Sequence, residues 1–381
     1  MDDSKKSYKY LFLILFACLT SYTFLLRAAF YDESGTPKGQ YVTLRVIGEN
    51  LAGDYGAFRL LEDGRPPAEA YNPQIVSKYL RQSARVTAFF SPIASPMKSF
   101  ILVPWLSLPY DAFFETWIFW GLFLFGTALY ALFGLADALL LMFALPAAYL
   151  SFVGGGWGVY AAAVVMLALS YARARPKLAG FFGALCIAEP IVFCAVLTAF
   201  IVQKRRKAAV VCLAGGMAIV LLAWGRYGLS AFSESFAATF RLLSDKPQAF
   251  VSWFAIFRES GFGNVTAAAF QFLAIVAVCF GGVQIFKREN CPLAVQNAYV
   301  CTGVCVASPI MTLSDYGLLY AGVAFLLYDV YGRGFIRFDR ILFTAAFVSV
   351  FFEAAFLNYF GTSFQPVLAA VMLGESVRRS Y

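Results

Sequence analysis

The sequence of 381 residues contains no histidine at all. It therefore lacks the commonest metal ligand and the usual general base near neutral pH. Any acid–base chemistry is expected to come from carboxylates, tyrosines or lysines. The eight cysteines show no Cys-x-x-Cys spacing, which is typical of zinc and dithiol sites. We predict neither a metal site nor a cofactor.

Charged residues are also scarce, at 14% of the chain, whereas soluble domains carry about 25%. Hydrophobic residues make up 61% and form repeated apolar runs. Runs of roughly 17–25 residues cross a bilayer as α-helices. The runs do not alternate in polarity as barrel strands do. We predict an all-α, polytopic membrane protein whose single integral domain covers residues 1–381, with about 10–12 spans.

The net charge of +8 is placed in short clusters between apolar runs, such as residues 204–207. Cytoplasmic loops of membrane proteins have this pattern, and nucleic-acid-binding modules do not. We therefore expect membrane lipids and no nucleic acid as partners. Three lysines precede the apolar run 10–30, which predicts an uncleaved first helix with a cytoplasmic N-terminus in the inner membrane.

Two polar segments, 31–92 and 226–263, are predicted to be extracytoplasmic loops. Apolar residues from Val42 to Leu61 are mixed with charges and indicate an amphipathic helix on the membrane surface. The sequence from Asp63 to Pro67 is expected to end this helix. A turn at 71–73 precedes a short helical piece that carries Arg81 and Arg85.

The apolar runs between and after these loops give the predicted spans. The first region, 93–153, is divided near 108–111 and is expected to include one re-entrant or interfacial run. The run 178–203 is interrupted by Glu189 and Pro190, which predicts two half-helices. Glycines 154–156 lack the P-loop pattern and are expected to form a tight interhelical turn. The further runs are 159–171, 208–225, 264–286, 293–309, 316–331, 341–357 and 361–374.

This topology collects ionisable residues on the outer face, where membrane-level charges are functional candidates. Asp54 is a candidate, although a solvated loop residue is the alternative. Glu189 is either a helix cap or a substrate contact, and Asp315 is either a substrate contact or a partner of a helix dipole. The cations are expected to bind a phosphate or lipid headgroups. The substrate-binding candidates are Tyr55, Arg81, Arg85, Lys98, Glu189, Arg226, Asp315 and Tyr316.

Five groups of residues follow one another along the chain as ordered motifs. They are Gly53 to Phe58 with Tyr71-Asn72-Pro73, Phe89 to Pro92 with Val103 to Pro109, Gly155 to Gly158, Ala188-Glu189-Pro190 with 204–207, and Ser308-Pro309 with Asp315-Tyr316. Their order resembles that of a known family, the integral-membrane α-mannosyltransferases that use polyprenyl-phosphate mannose, within the GT-C glycosyltransferases. Glu189 stands where that family often has a lysine, and the glutamine of its Gly-Gln pair is absent.

The resemblance implies transfer of a hexose or pentose from a polyprenyl-phosphate donor to a lipid or glycan acceptor at the outer face. It implies that Asp54 is the catalytic base and that the reaction inverts the anomeric centre. Arg81, Arg85, Lys98 and Arg226 are the candidates for stabilising the leaving phosphate. A transporter or flippase for lipid-linked sugars, or a non-catalytic scaffold, is the alternative interpretation. A transporter usually has internal repeats and paired broken helices, whereas this sequence shows one clear break and no convincing repeat.

Overall fold

The computed structural model describes residues 14, 49–83, 93–335, 338–360 and 363–381. In this part of the chain all regular structure is helical, which confirms the predicted all-α class. The predicted first helix, 10–30, lies outside the described residues except for Ile14, which is helical.

The helices are numbered in chain order from the first one whose bounds are described. Short 3₁₀ turns at Pro96–Lys98, Val103–Trp105, Cys186–Ala188, Pro247–Ala249 and Ser314–Tyr316 connect some of them. The helices are α1 Glu49–Glu62, α2 Pro67–Ala70, α3 Pro73–Ser83, α4 Ser99–Leu102, α5 Tyr110–Phe133, α6 Leu135–Ala144, α7 Pro146–Gly154, α8 Gly158–Tyr171, α9 Pro176–Leu185, α10 Pro190–Val202, α11 Arg206–Asp245, α12 Trp253–Glu259, α13 Asn264–Lys287, α14 Leu293–Ala307, α15 Gly317–Arg333, α16 Asp339–Phe360 and α17 Gln365–Arg379.

Helices α5, α11 and α13 are long and apolar enough to cross a membrane. They present large apolar side chains outward, among them Phe123, Leu222 and Phe272. Exposed apolar surface on this scale is suited to lipid rather than to water. By contrast, α8, α14 and α15 are buried almost all round and form the centre of the bundle.

The first part of the region 93–153 is not a span. Residues 96–105 form two 3₁₀ turns around the four-residue helix α4, and the first long helix begins at Tyr110. Prolines 96, 104 and 109 interrupt this stretch, because each proline lacks an amide hydrogen for the helix interior. The predicted division near 108–111 is therefore confirmed, and the irregular run is 93–108.

Helix α1 is helical and ends where the sequence predicts, but its apolar side chains contact protein. Leu51, Ala57 and Phe58 are buried within the main core of the protein. The helix therefore packs into the bundle, and the expectation that it lies on the membrane surface is wrong for these residues. It ends at Glu62, before Gly64, which adopts a φ of 76°. The predicted part 42–48 lies outside the described residues.

The break at Glu189 is present as predicted. Helix α9 tightens into the 3₁₀ turn Cys186–Ala188, Glu189 is extended, and Pro190 starts α10. Segment 226–263 is more regular than a loop, because α11 continues to Asp245. Gly228 interrupts α11 with a φ of 73°, and the part beyond it packs under the first polar segment.

The ends of α15, α16 and α17 farthest from residues 314–317 are joined by buried charges. Arg379 is fully buried and donates to Asp329 at 2.8 Å, to Glu375 at 2.9 Å and to Asp339. Each carboxylate comes from a different helix, so the guanidinium fixes three helix ends relative to one another.

Candidate functional site

Asp54 lies on α1 and faces a group of charged residues from distant parts of the chain. Lys98, Glu189 and Asp315 are the groups whose charges act on it. They come from the turn 96–98, the break between α9 and α10, and the turn 314–316. Four residues selected from the sequence therefore converge on one place, which is called the Asp54 site below.

Lys98 and Glu189 form an ion pair with Nζ 2.5 Å from Oε1. Both side chains are largely buried, with 13% and 25% of their surfaces exposed. Residues 95–99 place the lysine: the Ser95 hydroxyl accepts from the Met97 amide at 3.3 Å, and the Ser99 hydroxyl donates to the Pro96 carbonyl at 2.6 Å. The pair therefore links an irregular turn to a broken helix.

The Ala94 peptide, which precedes this turn, is also held firmly. Its carbonyl accepts from the buried Tyr71 hydroxyl at 2.9 Å and from Ser235 at 3.1 Å. A hydrogen bond from the Ala94 backbone also acts on Asp54. Tyr71 thus has a structural role in the site, because it holds the residue whose backbone acts on the candidate base.

Asp315 is held by its own turn. Its Oδ2 atom accepts from the Thr312 amide at 2.8 Å and from the Thr312 hydroxyl at 2.7 Å. The Ser314 hydroxyl lies 2.9 Å from the Thr312 hydroxyl. Asn50 on α1 donates from Nδ2 to the Thr312 hydroxyl at 3.2 Å and to the Ser314 hydroxyl at 2.9 Å. These bonds tie the Asp315 turn to the helix that carries Asp54.

The glycines after α7 explain how the Asp315 turn is positioned. Gly155 ends α7 in the left-handed conformation with a φ of 63°, as expected of a tight turn. A Cβ on Gly158 would lie 1.7 Å from the Ser314 carbonyl oxygen, and a Cβ on Gly317 would lie 2.6 Å from the Gly158 carbonyl carbon. Two backbone segments thus meet where no side chain fits.

The electrostatics of the site favour a neutral Asp54 and a charged Lys98. Burial, opposed by Lys98 and assisted by Glu189 and Asp315, raises the pKa of Asp54 from 3.8 to about 7. Burial and Glu189 likewise raise the pKa of Asp315. Burial alone would lower the pKa of Lys98, but the surrounding carboxylates raise it. A carboxyl group that titrates near neutrality is suited to proton transfer.

The remaining predicted cations lie elsewhere. Arg226 forms a two-pronged ion pair with Glu62 at the end of α1, with Nε 3.0 Å from Oε1. Tyr227 donates to the same carboxylate at 2.6 Å. Arg81 is exposed near the end of α3. Arg85 lies outside the described residues. Of the four cations considered for a phosphate, the structure brings Lys98 to Asp54.

The two predicted tyrosines hold the framework. The Tyr55 hydroxyl donates to the Leu108 carbonyl at 2.9 Å, and its ring packs against Tyr110 and Phe113. Tyr316 is fully buried and donates to the Val251 carbonyl at 3.0 Å. Both hydroxyls have protein partners and maintain the approach of the segments around the site.

Sequence reasoning did not select Asn50, Thr312 or Ser314. A signal for Asn50 was available, because it precedes Asp54 by four residues and so shares its helix face. Thr312 and Ser314 give no such local signal. Their pairing with Asn50 spans more than 260 positions, which local patterns do not reveal.

Comparison with known families gives the site its chemical context. The family model described as glycosyltransferase family 87 matches residues 93–309, more than half of the chain. The chain belongs to glycosyltransferase family 87. The family 87 match includes Lys98 and Glu189, whereas Asp54 and Asp315 lie outside the matched range. No protein of curated function and no solved structure matches the chain significantly.

Membership of family 87 makes this protein a membrane glycosyltransferase, in agreement with its apolar helices. The resemblance to glycosyltransferases is therefore confirmed at the level of the enzyme class. The more specific resemblance to polyprenyl-phosphate-mannose α-mannosyltransferases stays a prediction, as does the role of each site residue.

Proposed function

We propose that this glycosyltransferase moves mannose, or a similar hexose or pentose, from a polyprenyl phosphate to an acceptor hydroxyl at the extracytoplasmic face of the inner membrane. The observation that carries the proposal is the arrangement of Asp54 beside the Lys98–Glu189 ion pair. A proton acceptor and a cation occur together, as this transfer requires.

Asp54 serves as the general base. The acceptor oxygen forms a bond to the anomeric carbon while the bond from that carbon to the phosphate oxygen breaks. The hydroxyl proton passes to the Asp54 carboxylate, and the phosphate leaves with the bonding electron pair. One displacement inverts the anomeric centre, so a β-linked donor gives an α-linked product. A positioned base contributes about 10²–10⁴-fold, most effectively when its pKa lies near the working pH.

Lys98 serves as the cation for the leaving phosphate. Its ammonium group has three donors, and Glu189 occupies one of them at 2.5 Å. The remaining donors are available for phosphate oxygens, whose negative charge increases as the bond breaks. The ion pair also accounts for Glu189, which stands where the resembling family often has a lysine. Through its ion pair, Glu189 brings the Lys98 ammonium group to the helix break between α9 and α10, so a lysine side chain still occupies that place.

Transfer by the purified protein tests this proposal. Wild type, Asp54→Asn and the control Asp63→Asn are incubated in detergent with radiolabelled polyprenyl-phosphate mannose and a membrane lipid extract. Asp63 is exposed just beyond the end of α1, so its substitution should leave transfer unchanged. Asp54→Asn should lower turnover by at least 100-fold, because asparagine does not take up the proton.

Each possible result separates the alternatives. Equal turnover of wild type and Asp54→Asn removes Asp54 from the role of base. If the protein neither transfers nor releases sugar from any polyprenyl-phosphate sugar, the proposed donor is contradicted and a flippase or a scaffold is favoured. Mass spectrometry of envelope glycolipids from cells with and without the protein identifies the acceptor and the transferred sugar.

A further inference from the structure

One buried oxygen beside the Asp54 site has no hydrogen-bond donor among the residues that the structure describes. It is Oδ1 of Asn50. Asn50 lies on α1 one turn before Asp54, so both side chains project from the same face of the helix. The amide nitrogen of Asn50 has two partners, Thr312 and Ser314, while its oxygen has none within the described part of the chain.

The surrounding hydroxyls fix which way the Asn50 amide points. When Asp315 is ionised, it only accepts, so the Thr312 hydroxyl donates its single proton to Oδ2 at 2.7 Å. Thr312 must then accept from its other neighbours, Ser314 and Asn50. Ser314 uses its own proton on Thr312 and also accepts from Asn50.

This order of donors favours the amide as placed over the flipped one. If the amide were rotated, Thr312 would have no proton left for its oxygen, and Ser314 could donate to it only by giving up its bond to Thr312. The nitrogen therefore faces the Asp315 turn, and the oxygen points away from it. A buried acceptor without a donor destabilises the protein, and a bound ligand with a hydroxyl group would supply the missing hydrogen bond.

The position of this oxygen indicates what the ligand is. Asn50 contacts the Asp315 turn and shares its helix face with Asp54, and the charges of Lys98 and Asp315 act on each other. A ligand that placed a phosphate at Lys98 and extended past Asp54 would bring its next group towards Asn50. In the donor proposed above, that group is the sugar, which carries several hydroxyls.

We propose that Asn50 accepts a hydrogen bond from a hydroxyl of the donor sugar and so holds the anomeric carbon beside Asp54. This inference rests on the proposed function, because it takes the polyprenyl-phosphate sugar as the donor. Asn50 is then a residue that binds substrate and determines specificity, and Thr312 and Ser314 are the residues that position it.

Binding measurements with two lipids isolate this contact. The probes are polyprenyl-phosphate mannose and the same polyprenyl phosphate without sugar, titrated into the detergent-solubilised full chain. The ratio of the two dissociation constants gives the preference for the sugar. Asn50→Ala should reduce this preference by about 3- to 10-fold, the effect of one neutral hydrogen bond, and leave the affinity for the bare lipid unchanged. Asn72→Ala is the matched control, because that side chain accepts from the Gln74 amide in an exposed turn.

The bare lipid also reports on folding, since a misfolded variant would lose affinity for both probes. In that event Ser314→Ala, which removes one of the two bonds that orient the amide, should reduce the sugar preference by a smaller factor. The inference is overturned if Asn50→Ala or Ser314→Ala binds the bare lipid normally and keeps the wild-type preference for the sugar, because the Asn50 oxygen then accepts from water. If wild type itself does not prefer the sugar-bearing lipid, the proposed donor fails as well, and the two failures are thereby distinguished.

Discussion

Replacing Asp54 by asparagine is expected to stabilise the protein in alkaline solution while it removes the proposed base. Asparagine resembles the protonated carboxyl group in shape and in charge. The Asp54 environment raises its pKa from 3.8 to about 7, so the folded protein favours the neutral acid. This favourable contribution to folding stability is complete below about pH 3.8, the pKa of the carboxyl in the unfolded chain. It is lost as the pH rises through about 7, the pKa in the folded protein.

The size of the effect follows from the shift. Roughly three units at 1.36 kcal/mol each give at most about 4 kcal/mol of destabilisation in wild type at pH 8.5. The asparagine variant has no charge to bury and avoids this cost. We expect its thermal midpoint to exceed that of wild type by about 5 °C at pH 8.5. At pH 5 the difference should be less than half as large, because the carboxyl of the unfolded chain is ionised there while the folded protein keeps Asp54 protonated.

Thermal unfolding in detergent at pH 5, 7 and 8.5 measures this difference. Asp63→Asn controls for the loss of one negative charge at an exposed position close to the same helix. A difference between wild type and Asp54→Asn that does not change with pH would refute the argument, as would a wild type that is the more stable protein at pH 8.5. The same titration should appear in kcat/KM for transfer, which is expected to rise with pH through about 7.

Four further substitutions test separate features. Lys98→Gln should weaken binding of polyprenyl phosphate by about 10-fold or more in lipid titrations, whereas the exposed Lys78→Gln should not. Gly158→Ala should abolish the folded monodisperse protein in size-exclusion chromatography, since its Cβ would meet the Ser314 backbone, while Gly225→Ala, with open space around it, should be tolerated. Arg226→Ala should change stability by less than about 1 kcal/mol and leave transfer intact, because its ion pair is half exposed. Arg379→Met should cost about 3–5 kcal/mol in thermal unfolding, because it leaves buried carboxylates without their partner.

The class of fold was predictable because it depends on local properties. The lengths of the apolar runs predicted the bounds of α13, α14 and α15 to within about two residues, and Pro190 marked the break in the run 178–203. The placement of α1 was not predictable in this way. Its apolar face is equally suited to lipid and to protein, and only the packing of Phe58 in the core decides between them.

The site was predictable in part. Asp54, Lys98, Glu189 and Asp315 were recognised as ionisable groups at membrane level, and they converge. Pattern alone did not separate Lys98 from Arg226, because the choice depends on which acid each cation meets. Glu62 pairs with Arg226 and Glu189 pairs with Lys98, over 164 and 91 positions of sequence respectively.

The helices that end at the Asp54 site are short, and their length has a consequence for how the donor arrives. Helices α8, α9, α10, α14 and α15 have 10 to 17 residues, so they extend about 15–26 Å from the basic loops near their other ends. The hydrocarbon core of a bilayer is about 30 Å thick. Under the predicted orientation, with the basic loops in the cytoplasm, these helices by themselves would hold Asp54 and Lys98 below the level of the lipid headgroups. A water-soluble sugar nucleotide would have to descend into the membrane to reach them, whereas a lipid-borne sugar reaches this depth by diffusing sideways within its own leaflet.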